Sequence, residues 1–263
     1  MTEPKIIVEG VSKEFTRGEN GVLALDKVDL RVKEGEFVSI VGPSGCGKST
    51  LLYMLGGFIP ASTGQLLADG KAITKPGVDR GIVFQEYALF PWLTVFDNIA
   101  YGLNMKGSSK AARRETVERY IALIGLDGFE HRFPRELSGG MKQRVALART
   151  FAYEPAILLL DEPFGALDAQ TREIMQDELL RLWRSTGKTI VMVTHDVSEA
   201  VYLSNRVCVM SQRPGHIVQE FPIDLDRSGA REEIVLSEAY TTIDNAVWMA
   251  VRQQVSLRSG AKA

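Results

Sequence analysis

The nine residues Gly42-Pro43-Ser44-Gly45-Cys46-Gly47-Lys48-Ser49-Thr50 are the densest chemical signal in the chain. They match G-x-x-x-x-G-K-[ST], a loop whose glycines free backbone N–H groups to turn inward around phosphate oxygens. Such a loop takes a nucleoside triphosphate: Lys48 is expected to bridge the β- and γ-phosphates of ATP, and the Ser49 hydroxyl to coordinate Mg²⁺. A helix opening at Lys48 would add the partial positive charge of its N-terminus. Cys46 lies inside the loop, where its backbone N–H matters more than its thiol. A second cluster is Ile157-Leu158-Leu159-Leu160-Asp161-Glu162, an apolar run that ends abruptly in two acids. A buried carboxylate is costly unless it is paired or bound to a metal. At the carboxyl end of a strand in an open α/β sheet, both acids would face the ligand crevice. Asp161 is then placed to hold the Mg²⁺ hydration shell, and Glu162 to take a proton from the attacking water as general base.

These residues need elements to position them. The run Phe37-Val38-Ser39-Ile40-Val41 reads as a strand buried on both faces, leading straight into the glycine-rich loop. The helix that follows carries Leu51, Leu52 and Leu55 and should stop at Gly56-Gly57. Ile6-Ile7-Val8 and Val28 to Val32 alternate with period two, as antiparallel strands with one wet face do. Further core strands are expected at 157–160, 189–193 and 207–210. Between the first two, a helix should present Met175, Leu179 and Leu182. From about 87 to 155 strand-like runs vanish, and 109–124 and 139–152 look helical, so this stretch is expected to be an α-helical insertion. Alternation of strand and helix predicts an α/β fold with a mostly parallel sheet. The tail from Arg231 places Ile243, Val247, Ala250 and Val251 at helical spacing, as a helix packed on the core would.

Composition narrows the class. The chain has 263 residues, 45% hydrophobic and 24% charged, the balance of a globular protein able to bury a core without metal or disulfide. A formal net charge of −2 gives no reason to expect nucleic acid as a partner. The basic cluster Lys110, Arg113 and Arg114 reads as a solvated helix face. Two cysteines, Cys46 and Cys208, make no disulfide framework, and a reducing compartment fits. No apolar run approaches the roughly 20 residues of a membrane helix, so work at a membrane would require another chain to hold the protein there.

Leu137-Ser138-Gly139-Gly140-Met141-Lys142-Gln143-Arg144 resembles the signature motif of ABC ATPases, and it stands at their short spacing before Asp161-Glu162. The resemblance runs from about Ile6 to Gln219, with the motifs in family order. It implies a P-loop NTPase nucleotide-binding domain of ABC type, with an antiparallel β subdomain and an inserted α-helical subdomain. The implied organisation is an ATPase domain at 5–230, its helical part at about 87–155, and a C-terminal helical tail at 231–263. Position by position, the resemblance places Phe15 where an aromatic stacks on adenine, the other reading being a core aromatic in a strand. Gln85 looks like the glutamine that senses Mg²⁺ and connects to the membrane subunit; otherwise it is a surface residue at a strand end. Asp168 matches the loop that touches the opposite subunit, and His195 the histidine that hydrogen-bonds the γ-phosphate. Ser138, Gly139 and Gly140 form the nucleotide-contacting turn, Ser138 and Gly140 making the direct γ-phosphate contacts. Met141 departs from the family's usual glutamine, which should spare ATP binding and alter contacts between subunits. His131 and His216 match nothing.

A signature turn on the helical subdomain lies away from the phosphate loop of its own chain, so it implies a second copy arranged head to tail, with ATP between the two. Transmembrane permease subunits, and indirectly a solute-binding protein, are the other implied partners. They would hold the chain peripherally at the cytoplasmic face of the inner membrane. Residues 76–81, 89–95 and 161–183 look closest to importers of nitrate, taurine and aliphatic sulfonates. Phe90, Pro91 and Trp92 would then lie near the groove for the membrane subunit's coupling helix, or else form a patch packed within the helical subdomain. The alternative is a non-transport ABC ATPase of the DNA-repair or translation type. Such proteins usually carry a long coiled coil or two fused ATPase domains, and neither is visible in this sequence.

Overall fold

Period-two alternation, fully apolar runs and capped amphipathic stretches succeed one another along the chain. The computed structural model, which describes residues 4–17 and 20–260, turns each into an element. In order they are β1 (Pro4–Arg17), β2 (Asn20–Lys33), β3 (Phe37–Val41), α1 (Lys48–Leu55), β4 (Thr63–Ala68), β5 (Lys71–Ala72) and β6 (Arg80–Val83). Then come α2 (Val95–Met105), α3 (Lys110–Leu123), a 3₁₀ turn (Pro134–Glu136), α4 (Gly139–Tyr153), β7 (Ile157–Asp161) and α5 (Ala169–Thr186). The chain closes with β8 (Thr189–Val193), α6 (Val197–Leu203), β9 (Arg206–Met210), β10 (Ile217–Pro222), α7 (Arg231–Val235) and α8 (Glu238–Gly260). Two compact units result: Met1–Gly77 with Trp183–Ala263, and Val78–Leu182.

In the first unit, β1 pairs antiparallel with β2 and with β4, giving the order β2-β1-β4-β5. Ile6 and Val8 face inward together with Val28, Leu30 and Val32, as their alternation predicts. β3 is buried at every residue because parallel neighbours flank it on both sides, Phe37 opposite Ile190 of β8 and Val38 opposite Arg206 of β9. β10 adds antiparallel to β9. The Arg206 guanidinium pins the start of β3, meeting both Glu36 oxygens at 2.8 and 3.0 Å. α6 packs on β3, and α8 packs on α6 and β9. Val247 is fully buried there, and the Tyr240 hydroxyl donates to the Ser198 carbonyl at 3.0 Å.

In the second unit, β6 and β7 run parallel, Arg80 opposite Ile157 and Val83 opposite Leu160, and α2 to α4 connect them. Hydroxyl side chains start all three helices: Thr94 accepts from Asp97 N–H, Ser109 from Ala112 N–H and Ser138 from Met141 N–H. Helical periodicity singles out the stretches that become α3 and α4, and α2 is an additional helix within the expected insertion. Its Asn98 is buried and organises the preceding loop, accepting from Phe90 N–H at 2.9 Å and donating to the carbonyls of Leu93 and Thr94. On α5 the buried residues are Met175, Gln176, Leu179 and Leu180, with Leu182 only half-buried, so the apolar stripe is rotated relative to the expected one. Among the described residues no helix is long and apolar enough to cross a membrane.

Candidate active site

The glycine-rich loop leaves the end of β3 and enters α1 within six residues. Two of its glycines are obligatory on steric grounds. A Cβ at Gly42 would lie 2.9 Å from the Met210 carbonyl oxygen, and one at Gly47 would lie 2.6 Å from Leu25 Cδ2 with φ at +112°. Gly47 is the N-cap of α1, so no side chain caps that helix, and its first turn holds no acid. Its N-terminal N–H groups and dipole therefore favour an anion. Lys48 is only 6% exposed, and its ammonium lies over its own loop, donating to Gly42 O at 2.8 Å and Pro43 O at 3.1 Å. Burial pushes the Cys46 thiol up, the nearby Lys48 ammonium only partly offsetting it, so that side chain stays neutral. Beside the loop, Pro43 to Cys46 together with Gln212 and Arg213 line a cavity of about 240 Å³.

Two further sequence-predicted residues belong to the first unit. Phe15, on β1, is 41% exposed, with the Lys13 ammonium 5.0 Å from its ring centre. It is therefore a half-open aromatic face, and the core reading does not describe it. His195 follows β8 in a turn that its neighbours hold tightly. The buried Thr194 hydroxyl donates to the Glu199 carboxylate at 3.1 Å and accepts from Asp196 N–H, while Asp196 caps α6 through Glu199 N–H at 3.0 Å. His195 itself points its exposure to solvent from that fixed turn.

In the second unit, β7 buries Asp161 completely at its carboxyl end, and the chain turns at Glu162 with φ at +46°. That left-handed conformation is unusual for a side-chain-bearing residue. Gln85, after β6, reaches the same carboxylate, its Nε2 donating to Glu162 Oε2 at 3.4 Å. Asp168 Oδ1 accepts from Thr171 N–H at 3.0 Å at the start of α5, and that hydrogen bond lowers the Asp168 pKa from its ordinary value. Ser138 and Gly139 are exposed at the N-terminus of α4, and a Cβ on Gly140 would meet the Ala166 carbonyl oxygen at 3.5 Å. The second unit thus gathers Gln85 with Glu162, and sets the signature turn beside the loop that follows Glu162. Sequence reasoning assigned no role to Gln143, whose buried amide hydrogen-bonds that loop. The only signal for it was a polar residue among the apolar positions of α4.

The chain resembles known proteins over most of its length. The family model described as ABC transporter matches residues 25–165. A relative in Brucella abortus is 50% identical over 252 residues, 96% of this chain and 95% of its own. The nitrate import ATP-binding protein NrtD of Synechocystis is 47% identical over 218 residues, 83% of this chain and 82% of that one. The aliphatic sulfonates import ATP-binding protein SsuB of Bacillus cereus is 47% identical over 212 residues, 81% and 83%. Among solved structures, the dimeric post-hydrolysis state of the ATP-binding cassette MJ0796 with ADP and Pi superposes with a TM-score of 0.77. It is 35% identical and covers 83% of this chain and 99% of its own. The family model across residues 25–165, with relatives of up to about half identity over most of both chains, places the protein in the ABC transporter family as an ATP-binding, ATP-hydrolysing cassette.

Proposed function

We propose that the chain is the motor subunit of a bacterial importer, working as two head-to-tail copies beneath transmembrane permease subunits at the cytoplasmic face of the inner membrane. A solute-binding protein would deliver a small anion such as taurine, an aliphatic sulfonate or nitrate. The observation that carries this reading is the 47% identity, across more than four-fifths of each chain, to subunits named for nitrate and for aliphatic sulfonate import. The proposed organisation is an ATPase domain at 5–230, with its helical part at about 87–155, and a helical tail at 231–263.

Each site residue has a proposed task. Phe15 stacks on adenine, Gly42 to Thr50 cradle the phosphates, and Lys48 leaves its two loop carbonyls for the β- and γ-phosphate oxygens. The proposed Mg²⁺ donors are the Ser49 hydroxyl, the Gln85 amide oxygen and the Asp161 carboxylate, all hard oxygens of the kind that cation selects. When bound, Mg²⁺ would neutralise developing charge on the phosphates. Glu162 takes a proton from the water that attacks the γ-phosphorus, and His195 hydrogen-bonds the γ-phosphate from its fixed turn. Ser138, Gly139 and Gly140 cap the nucleotide of the second copy, and Asp168 meets that copy across the interface.

The test is reconstitution. Tagged protein should co-purify with a multispanning membrane protein. In proteoliposomes, phosphate release should rise when the cognate binding protein is loaded with taurine, an alkanesulfonate or nitrate. Vigorous ATPase activity without any membrane partner, and with DNA or ribosomes captured in its place, would support the non-transport reading instead.

A further inference from the structure

Gln143 sits one turn into α4, on the helix that Ser138 caps, and it is only 2% exposed. A buried carboxamide must satisfy two N–H groups and a carbonyl oxygen. Here all of them end on one short loop. Nε2 donates to the carbonyls of Glu162, at 3.2 Å, and Pro163, and Oε1 accepts from Ala166 N–H at 3.3 Å. That loop begins with Glu162 in the left-handed region, a conformation that persists only where surrounding structure holds it. Gln85 Nε2 reaches the Glu162 carboxylate at 3.4 Å, while the Gln143 amide takes hold of the backbone.

We infer that Gln143 is a positioning residue for ATP hydrolysis: its amide holds the Glu162 peptide in the left-handed turn and so aims the carboxylate at the attacking water. The inference rests on the reading of Glu162 as general base. Gln143 touches no substrate, and its effect passes through the loop. Geometry supports this assignment over a plain helix-to-loop staple, because two of its three bonds fall on Glu162 and the residue directly after it. A staple would affect folding and the signature turn together with turnover. A positioning residue affects the chemical step alone, since a misplacement of about 1 Å at a reacting group costs on the order of 100-fold.

The experiment compares Gln143→Met, which keeps length and loses every hydrogen bond, with Glu162→Gln and with the double variant. Gln143→Met should lower kcat by about 100-fold while KM for ATP stays within about twofold, the pattern of an interaction made only at the transition state. ATP-driven association of two copies, read by size-exclusion chromatography, should persist. The double variant should be no slower than Glu162→Gln, because one residue acts through the other. Gln143→Glu supplies a second readout: its carboxyl can donate only while protonated, so its deficit relative to the parent should deepen as pH rises. Should Gln143→Met not fold, that pH profile decides. Parent-like turnover in Gln143→Met, a pH-independent deficit in Gln143→Glu, or loss of association in step with turnover overturns the inference. An active Glu162→Gln removes the base reading and this inference together. An inactive Glu162→Gln beside an active Gln143→Met removes this inference alone.

Discussion

Lys48 is buried, and its ammonium donates to two carbonyls of its own loop; in the proposed role a phosphate would exchange those partners for stronger anionic ones. Lys48→Ala removes the cation and leaves the glycine cradle in place. Equilibrium binding should show weaker ATP affinity, and phosphate release should fall by about 10²–10³-fold, the usual cost of losing one stabiliser of developing charge. Equal ATP affinity in variant and parent would place the phosphate site elsewhere. Glu162→Gln is the complementary change, because it preserves shape and deletes the proposed base. Turnover should drop by about 10²–10⁴-fold with ATP affinity retained, leaving an ATP-bound dimer stable enough to isolate. Turnover close to the parent's would take Glu162 out of the base role.

At the scale of elements, the tail helix α8 docks by burial and by directed hydrogen bonds, with Gln212 donating to the Gln254 carbonyl near its end. Val247 carries the apolar contact, and the Tyr240 hydroxyl donates to Ser198 O on α6. Burial pushes the Tyr240 phenol up to about 12 from its ordinary value near 10. The sign follows from proton binding: between pH 10 and 12 the folded chain keeps a proton that the unfolded chain releases, so stability falls as pH rises through that window. Thermal melts should therefore decline steeply over that alkaline range, and Tyr240→Phe should flatten the decline. At neutral pH the same variant should cost about 1 kcal/mol, the net value of one hydrogen bond. An unchanged alkaline slope would mean that the tail is not held through Tyr240.

For the whole molecule the decisive question is whether two copies meet as proposed. Ser138 is exposed at the start of α4, and its hydroxyl accepts from Met141 N–H and so fixes the turn. Ser138→Arg places a bulky cation on that turn and leaves the phosphate loop of the same chain untouched. Isolated variant should bind ATP with parental affinity and fail to associate with a second copy. Mixed with Lys48→Ala, it should regain ATP-dependent association, since one of the two shared sites then has a sound cradle and a sound signature. Crosslinking yield measures both effects. Association of Ser138→Arg alone at the parent's level would show that the turn does not act across the interface.

How much of this was readable from sequence depends on the range of the physics involved. The glycine-rich loop and the apolar run that ends in Asp161 and Glu162 are contiguous stretches, legible from residue types and spacing, whereas the turn that Ser138 caps was found by its resemblance to a family motif. The strands at 37–41, 157–161 and 189–193 were legible for the same reason, since each is a continuous apolar run. The helix α2 was harder, because Asn98, Tyr101, Gly102 and Asn104 weaken its local propensity and Asn98 is anchored by a preceding loop. The task of Gln143 lay beyond reach. Its partners stand 19 to 23 residues away, and a glutamine on a helix looks alike in sequence whether it faces water or a loop. The left-handed turn at Glu162 and the folding of Lys48 over its own carbonyls were likewise decided only in three dimensions. Local pattern specified which groups the chemistry has available, and long-range packing specified what holds each of them in place.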